Sequence, residues 1–287
     1  MSTLLDPAFV RELEALRRRL LVKVPSGGAG EHLARRKGGS AEFLEHRAYY
    51  PGDDLRRVDW LAYARTGEPV VKLFRAEEDL ILRIVIDASA SLEGEKLETA
   101  KRVAAAMGYV GLAASERVQV FPFADTMRPP SKPVRGRSGL PTLLRTLEGI
   151  EASGRTNLGG AIENAIRTGR PGMLIVISDF MDSSGFDRAL LAARGAGNDV
   201  VLAQVLTREE IAPSIRGDLM LEDAETGETI TVTADVDTIE SYLARLAGLY
   251  EMLRRWARTH GGTYVRLATD DKLEDGVRRI LDRRIDA

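Results

Sequence analysis

The sequence predicts an α/β protein, a mostly parallel sheet flanked by helices, and three observations carry that expectation. Five apolar, β-branched runs near residues 81–86, 118–123, 173–178, 199–206 and 263–267 read as buried strands. Helical patterns near 95–115, 140–149, 158–169, 185–196, 238–260 and 271–284 fall between or after them. Such alternation favours a sheet wound with right-handed crossovers. Finally, 287 residues, 44% of them hydrophobic, suffice for a large domain or a domain with an appendage.

Residues 6–22 read as an amphipathic helix with Phe9, Leu13, Leu16 and Leu20 on one stripe and a basic run at 17–19 beside it. Such a helix is expected to dock on its own protein rather than on lipid. The stretch SGGAGEHLARRKGGS, residues 26–40, reads as a flexible loop. Its Gly28 and Gly30 follow a helix rather than a strand, so they do not make a dinucleotide loop. EFLEHRAYY and EPVVKLFRAEED are expected to pair as strands of a small β-rich appendage that, with the first helix, occupies residues 1–79. Between them, Asp53, Asp54, Arg56, Arg57, Asp59 and Arg65 are expected to form a salt-bridged network pinning the appendage to the α/β domain, with Trp60 and Tyr63 as apolar anchors.

The α/β domain then spans 80–287. Its first helix shows Leu97, Ala100, Val103, Ala104 and Met107 at helical spacing, the stripe that packs on a sheet. Residues 217–233 break the alternation and read as an inserted β-hairpin, turning near Thr226 and Gly227, whose expected task is to cover the sheet edge.

Three loops carry oxygen ligands. In IVIDASAS, Asp87, Ser89 and Ser91 stand on alternate residues; Thr156 lies in GRTNLGG; Asp179 ends the apolar run MLIVISDF. A strand reverses side-chain direction at each residue, but the turn beyond its end can swing all three groups of the first loop to one side. In an open parallel sheet, ligands gather at the carboxyl ends of strands. Magnesium requires near-octahedral oxygen coordination and keeps several waters, so hydroxyls can bind directly while acids act through water. Each loop also precedes a helix, where Asp, Ser and Thr serve as N-caps. The three loops together favour a metal site over three separate caps.

This set resembles the metal-ion-dependent adhesion site of von Willebrand factor A domains, whose pattern is DxSxS, then Thr, then Asp. The resemblance implies that Ser89, Ser91 and Thr156 ligate Mg2+, with Mn2+ or Ca2+ as alternatives, while Asp87 and Asp179 act largely through waters and a partner's acid completes the octahedron. Phe180 departs from the pattern, standing after Asp179 where many relatives have Gly. Residues 42–79, with their EF, Y-PGDD-RR-DW and ART elements, are similar to the signature of a bacterial family, domain-of-unknown-function family fifty-eight, and that similarity runs from Gly38 onward. It implies a MoxR-type AAA+ ATPase as partner, since members are usually encoded beside one.

The remaining observations narrow the function classes. The absence of cysteine excludes disulfides, zinc thiolates and cysteine nucleophiles. With 41 basic and 43 acidic residues the net charge is -2, giving no global pull toward nucleic acid or membranes. No run approaches the ~20 apolar residues that span a bilayer, and the MSTLLDPAF start lacks a secretion core, so a cytoplasmic location is expected. There is no GxSxG elbow and no GxxxxGK[ST] loop, and His260 is the last histidine after His46. A phospho-aspartyl phosphatase would need a second Asp two residues after Asp87, where Ser89 stands. The expectation is therefore a magnesium-dependent protein-interaction module rather than an enzyme, with a phosphatase-like hydrolase or a vestigial metal site as alternatives.

Overall fold

The computed structural model describes residues 3–21, 43–74, 80–125, 128–167, 169–182, 185–283 and 285–286. The loop expected over 26–40 lies outside the described residues. The first elements in chain order are helix α1 (Pro7–Leu21), strand β1 (Phe43–Ala48), helix α2 (Trp60–Thr66) and strand β2 (Val70–Phe74). Then come β3 (Ile81–Asp87), α3 (Glu95–Ala113), β4 (Arg117–Phe123), β5 (Val134–Arg135), α4 (Leu140–Glu148), α5 (Leu158–Arg167) and β6 (Met173–Ser178). The chain continues through α6 (Asp187–Gly195), β7 (Asp199–Leu206), α7 (Arg208–Ile211), β8 (Gly217–Glu222), β9 (Thr229–Ala234), α8 (Val236–His260), β10 (Thr263–Ala268) and α9 (Leu273–Leu281). Of the described residues, 3–21 with those from 80 onward form one compact unit and 43–74 a second.

In the larger unit six strands form one sheet in the order β10-β7-β6-β3-β4-β5, parallel throughout except for β5, which runs antiparallel to β4. The near-continuous apolar runs follow from burial on both faces. Leu82, Ile84 and Ile86 of β3 pack with α1, α3, α4 and α9, whereas Val85, with Leu174 and Val176 of β6, packs with α5, α6 and α8. The chain leaves β3 for a helix on one face and leaves β6 for a helix on the other. A crevice opens where such neighbouring strands part company.

Helix α1 docks as its stripe predicts. Phe9, Leu13 and Leu16 are buried in the core shared with α3, while Leu20 lies outside the described side chains. The Arg102 guanidinium stacks 5.3 Å from the Phe9 ring centre and pairs with Glu12 at 3.0 Å. The helix thus belongs with the α/β unit, not with the appendage it was grouped with from the sequence.

The expected hairpin is present, but it does not cover the sheet edge. Strands β8 and β9 form their own two-stranded sheet, with Leu221 opposite Ile230 and Glu222 opposite Thr229. Met220 is 78% and Ile230 59% exposed. The reason is that the edges are already occupied. Strand β5 lies along β4, and on β10 Tyr264 bridges Ile285 in parallel while the Asp286 N–H donates to the Tyr264 carbonyl.

In the smaller unit β1 and β2 pair antiparallel, as expected. The expected charge network takes a different form among the described residues. Arg47 pairs with Asp53 at 2.8 Å, and Asp59 contacts His46 at 3.0 Å and Lys72 at 3.2 Å. Asp59 also caps α2 by accepting the Leu61 and Ala62 N–H groups, and Asp54 caps the short turn holding Arg56 and Arg57. Trp60 and Tyr63 are not anchors: they are 59% and 43% exposed and touch each other edge to face. The seven-residue helix WLAYART buries none of its side chains, so it offers these rings no core to anchor in. Among the described residues no helix is long and apolar enough to cross a membrane.

Candidate metal centre

Strand β3 ends on Asp87 beside β6, in a register that sets Ile86 against Ile177. Asp87 therefore falls next to Ser178, whose hydroxyl donates to Asp87 Oδ2 at 2.6 Å. Beyond the strand the Ser89 N–H donates back to Asp87 Oδ1 at 3.0 Å, tightening the turn. A short 3-10 turn over Ala90–Leu92 follows, and it leaves Ser89 Oγ 3.0 Å from Ser91 Oγ. The alternation in the sequence is thereby converted into a cluster.

Backbone pairing brings the second loop alongside. The Ser153 N–H donates to the Ala88 carbonyl and the Ala90 N–H to the Gly154 carbonyl, both at 2.9 Å. Gly154 has φ +75, a conformation that L side chains rarely adopt, and a Cβ there would make the Asp125 carboxylate, 2.5 Å away, move aside. Thr156 then reaches Asp87, donating its hydroxyl to Oδ2 at 3.3 Å.

The third loop leaves β6 at Asp179. Its Oδ1 accepts the Met181 N–H at 3.0 Å, and its carbonyl accepts the Gln204 side-chain amide at 2.8 Å. Gln204 is fixed in turn by the Tyr264 hydroxyl at 2.7 Å, so two further strands hold this corner. Phe180 turns the chain in the left-handed region at φ +60, the conformation that favours glycine. Its ring is 1% exposed and meets Phe186 edge to face, 5.6 Å between centres. The aromatic contact holds a conformation that the backbone alone disfavours.

Asp87, Ser89 and Asp179 are buried, while Ser91 and Thr156 are half-buried, so the cluster opens on their side. Burial pushes the Asp87 carboxyl up to about 6, against the pull of the Ser178 hydroxyl and the Ser89 N–H, with the Asp179 charge adding to the rise. Lys96 reaches in from the first turn of α3, with Nζ 3.0 Å from Asp179 Oδ2 and 2.8 Å from Glu210 Oε1. Burial alone would lower its pKa, but the Asp179 and Glu210 carboxylates outweigh that and raise it.

The structure thus joins Asp87, Ser89, Ser91 and Thr156 through direct contacts and ties Asp179 to Lys96. Ser178, Lys96, Gln204 and Glu210 were missed from the sequence. Two of them left a signal. A lysine in a first helical turn opposes the helix dipole, and Thr207 to Glu210 has capping-box spacing, which the structure realises.

The donors fit a hard divalent cation. With metal–oxygen bonds of about 2.1 Å, neighbouring vertices of an octahedron lie about 3.0 Å apart. Ser89 Oγ and Ser91 Oγ already have that separation, 3.0 Å. Asp87 has both oxygens engaged by protein donors, which suits a role through water. Among the described residues no group of three or more His, Cys, Asp and Glu side chains is placed to hold a metal, so the hydroxyls would have to carry the site.

The family described as "Protein of unknown function DUF58" matches residues 45–247. An uncharacterized protein of Mycobacterium tuberculosis is 32% identical over 290 residues, covering 97% of this chain and 91% of that protein. One from Mycobacterium bovis gives the same figures. Among solved structures, the conserved hypothetical protein BatB from Bacteroides thetaiotaomicron has a TM-score of 0.45 at 19% identity, covering 71% of this chain and 98% of its own. The vWF domain of the type V pili tip protein Mfa5 from Porphyromonas gingivalis has a TM-score of 0.32 at 15% identity, covering 71% and 85%. None of these similarities assigns an activity.

Proposed function

The chain belongs to the DUF58 family of proteins of unknown function, and from that premise we propose that it is a magnesium-dependent protein-interaction module rather than an enzyme. One observation carries the reading: the Ser89 and Ser91 hydroxyls stand 3.0 Å apart, the separation cis metal ligands need, beside a buried Asp87 carboxylate that Thr156 reaches from a second loop where β3 and β6 part. Ser89, Ser91 and Thr156 would hold Mg2+, and Asp87 and Asp179 would orient its waters. When bound, the ion supplies a Lewis-acidic position for an incoming carboxylate.

The chain's own residues prepare that position. The Ser178 hydroxyl and the Ser89 N–H fix the Asp87 carboxylate, and Gln204 fixes the backbone at Asp179. Ser91 and Thr156 lie on the open rim, where an approaching protein would meet them first. The partner in this reading is a MoxR-type AAA+ ATPase, with this protein as an adaptor in assembly or chaperone-like remodelling; family resemblance supports that part.

Capture of the purified MoxR-type ATPase of the same genome tests the proposal, with magnesium, with chelator, and with the Asp87→Ala and Thr156→Ala variants. Thr156 is half-buried, so its variant keeps the fold if Asp87→Ala does not. Capture that requires both magnesium and the intact threonine is expected. Equal capture under every condition would overturn a metal-bridged interaction.

A further inference from the structure

Lys96 brings a positive charge against Asp179, one of the acids expected at the metal site. Its position is unfavourable on two counts. The residue is 7% exposed, and it lies in the first turn of α3, where the helix dipole repels a cation. Two carboxylates make the position tenable. Asp179 offers Oδ2 at 3.0 Å and Glu210 offers Oε1 at 2.8 Å.

The two acids are held differently. Asp179 is one of the expected metal-site residues, and its other oxygen takes the Met181 N–H. Glu210 stands on α7, where its Oε2 accepts the Thr207 N–H at 2.7 Å and its carbonyl accepts the Tyr242 hydroxyl at 2.8 Å. Lys96 therefore has one partner inside the metal cluster and one anchored outside it. An ammonium so placed neutralises Asp179 beside the buried Asp87, and it repels any dication drawn to the same two acids.

We propose that Lys96 is a built-in counter-cation of this site, engaging Asp179 in the unloaded protein, holding metal affinity down, and shifting onto Glu210 when a divalent cation binds. The proposal rests on the reading of the cluster as a metal site. It assigns Glu210 a part that is distinct from ligation, as the resting place for the displaced ammonium. Low intrinsic affinity would make occupancy depend on the extra carboxylate that a docking protein brings.

Titration of the full chain with Mn2+, followed by calorimetry and by the manganese electron-spin signal, tests this in four proteins: wild type, Lys96→Met, Lys96→Gln and Lys96→Arg. Linked binding events usually change affinity by about 5- to 150-fold. Lys96→Met is expected to bind Mn2+ at least about tenfold more tightly, while Lys96→Arg, which keeps the charge, stays within about threefold of wild type. Lys96→Gln retains a donor for Asp179 without the charge and serves if the methionine variant does not fold. Binding by a neutral variant with none by wild type also supports the proposal. Equal or weaker binding by the neutral variants, with wild type still binding, would overturn the role of Lys96 and leave the metal site standing. No binding by any of the four would overturn the metal site and the counter-cation together.

Discussion

Phe180 offers a test in which two costs of known sign compete. It holds φ +60 and its ring is 1% exposed against Phe186. A non-glycine residue in the left-handed region pays about 1–2 kcal/mol, while truncating a buried Phe to Ala costs about 3–5 kcal/mol. Phe180→Ala should therefore lose about 3–5 kcal/mol, because it forfeits the ring and keeps the strain. Phe180→Gly forfeits the same ring and adds about 0.5–1 kcal/mol of unfolded-state freedom, but it relieves about 1–2 kcal/mol of strain. The glycine variant should come out more stable than the alanine variant by up to about 1.5 kcal/mol, the reverse of the usual order. Urea unfolding with matched slopes measures the difference. An alanine variant more stable than the glycine variant would show that position 180 is unstrained and refute the reasoning.

Other expectations are as direct. Asp59 is held down to about 2, first by the Ala62 N–H and, against the cost of burial, by His46 and Lys72. Its folded value lies below the ordinary one of about 3.9, so the stability it contributes is complete above about pH 4 and is lost as pH falls through about 2. Hydrogen exchange of the β2 amides should show the smaller unit loosening across that window, and Asp59→Asn should flatten the response; an unchanged profile would deny the cap its role. Gly172→Ala would place a Cβ 2.2 Å from the Ile81 carbonyl oxygen, which cannot rotate away, and should cost about 1–3 kcal/mol or more in thermal unfolding. Gly195→Ala meets nothing within 4 Å and should be neutral or slightly stabilising, so equal losses at the two glycines would contradict the packing described.

The central sheet was legible because burial on both faces writes an unbroken apolar run, and the five predicted strands lie within a residue of those observed. Strand β5 was invisible, since two residues, Val134 and Arg135, carry no period. The hairpin was readable from its turn, but its exposure was not, because the segment that bridges the β10 edge, Ile285 and Asp286, comes from the far end of the chain. At the cluster, Asp87, Ser89 and Ser91 announced themselves by spacing. Ser178 did not, because its contact with Asp87 depends on the register of β3 against β6. Lys96 carried no sign of its partners, since its acids lie 83 and 114 residues away. Trp60 and Tyr63 misled for the opposite reason: aromatic residues beside charges resemble an anchor, and nothing local reveals which way a two-turn helix faces.

The strand order also governs when the cluster can come into being. Strand β3 is central, yet its two neighbours arrive at different times: β4 follows within about one helix, whereas β6 ends 91 residues after Asp87, at Ser178. During synthesis, one flank of an intensely apolar strand stays open over that whole interval. Loop-closure entropy must be met before the contacts reward it, so pairing across such a separation is slow. An unpaired apolar strand edge is also a template for the wrong partner. The nascent chain therefore exposes an open apolar edge between the appearance of Asp87 and that of Ser178, and a carboxylate and two serines at the tip of that strand are the polar groups that interrupt the run. The oxygens gathered in the finished protein would, in the unfinished one, act as gatekeepers.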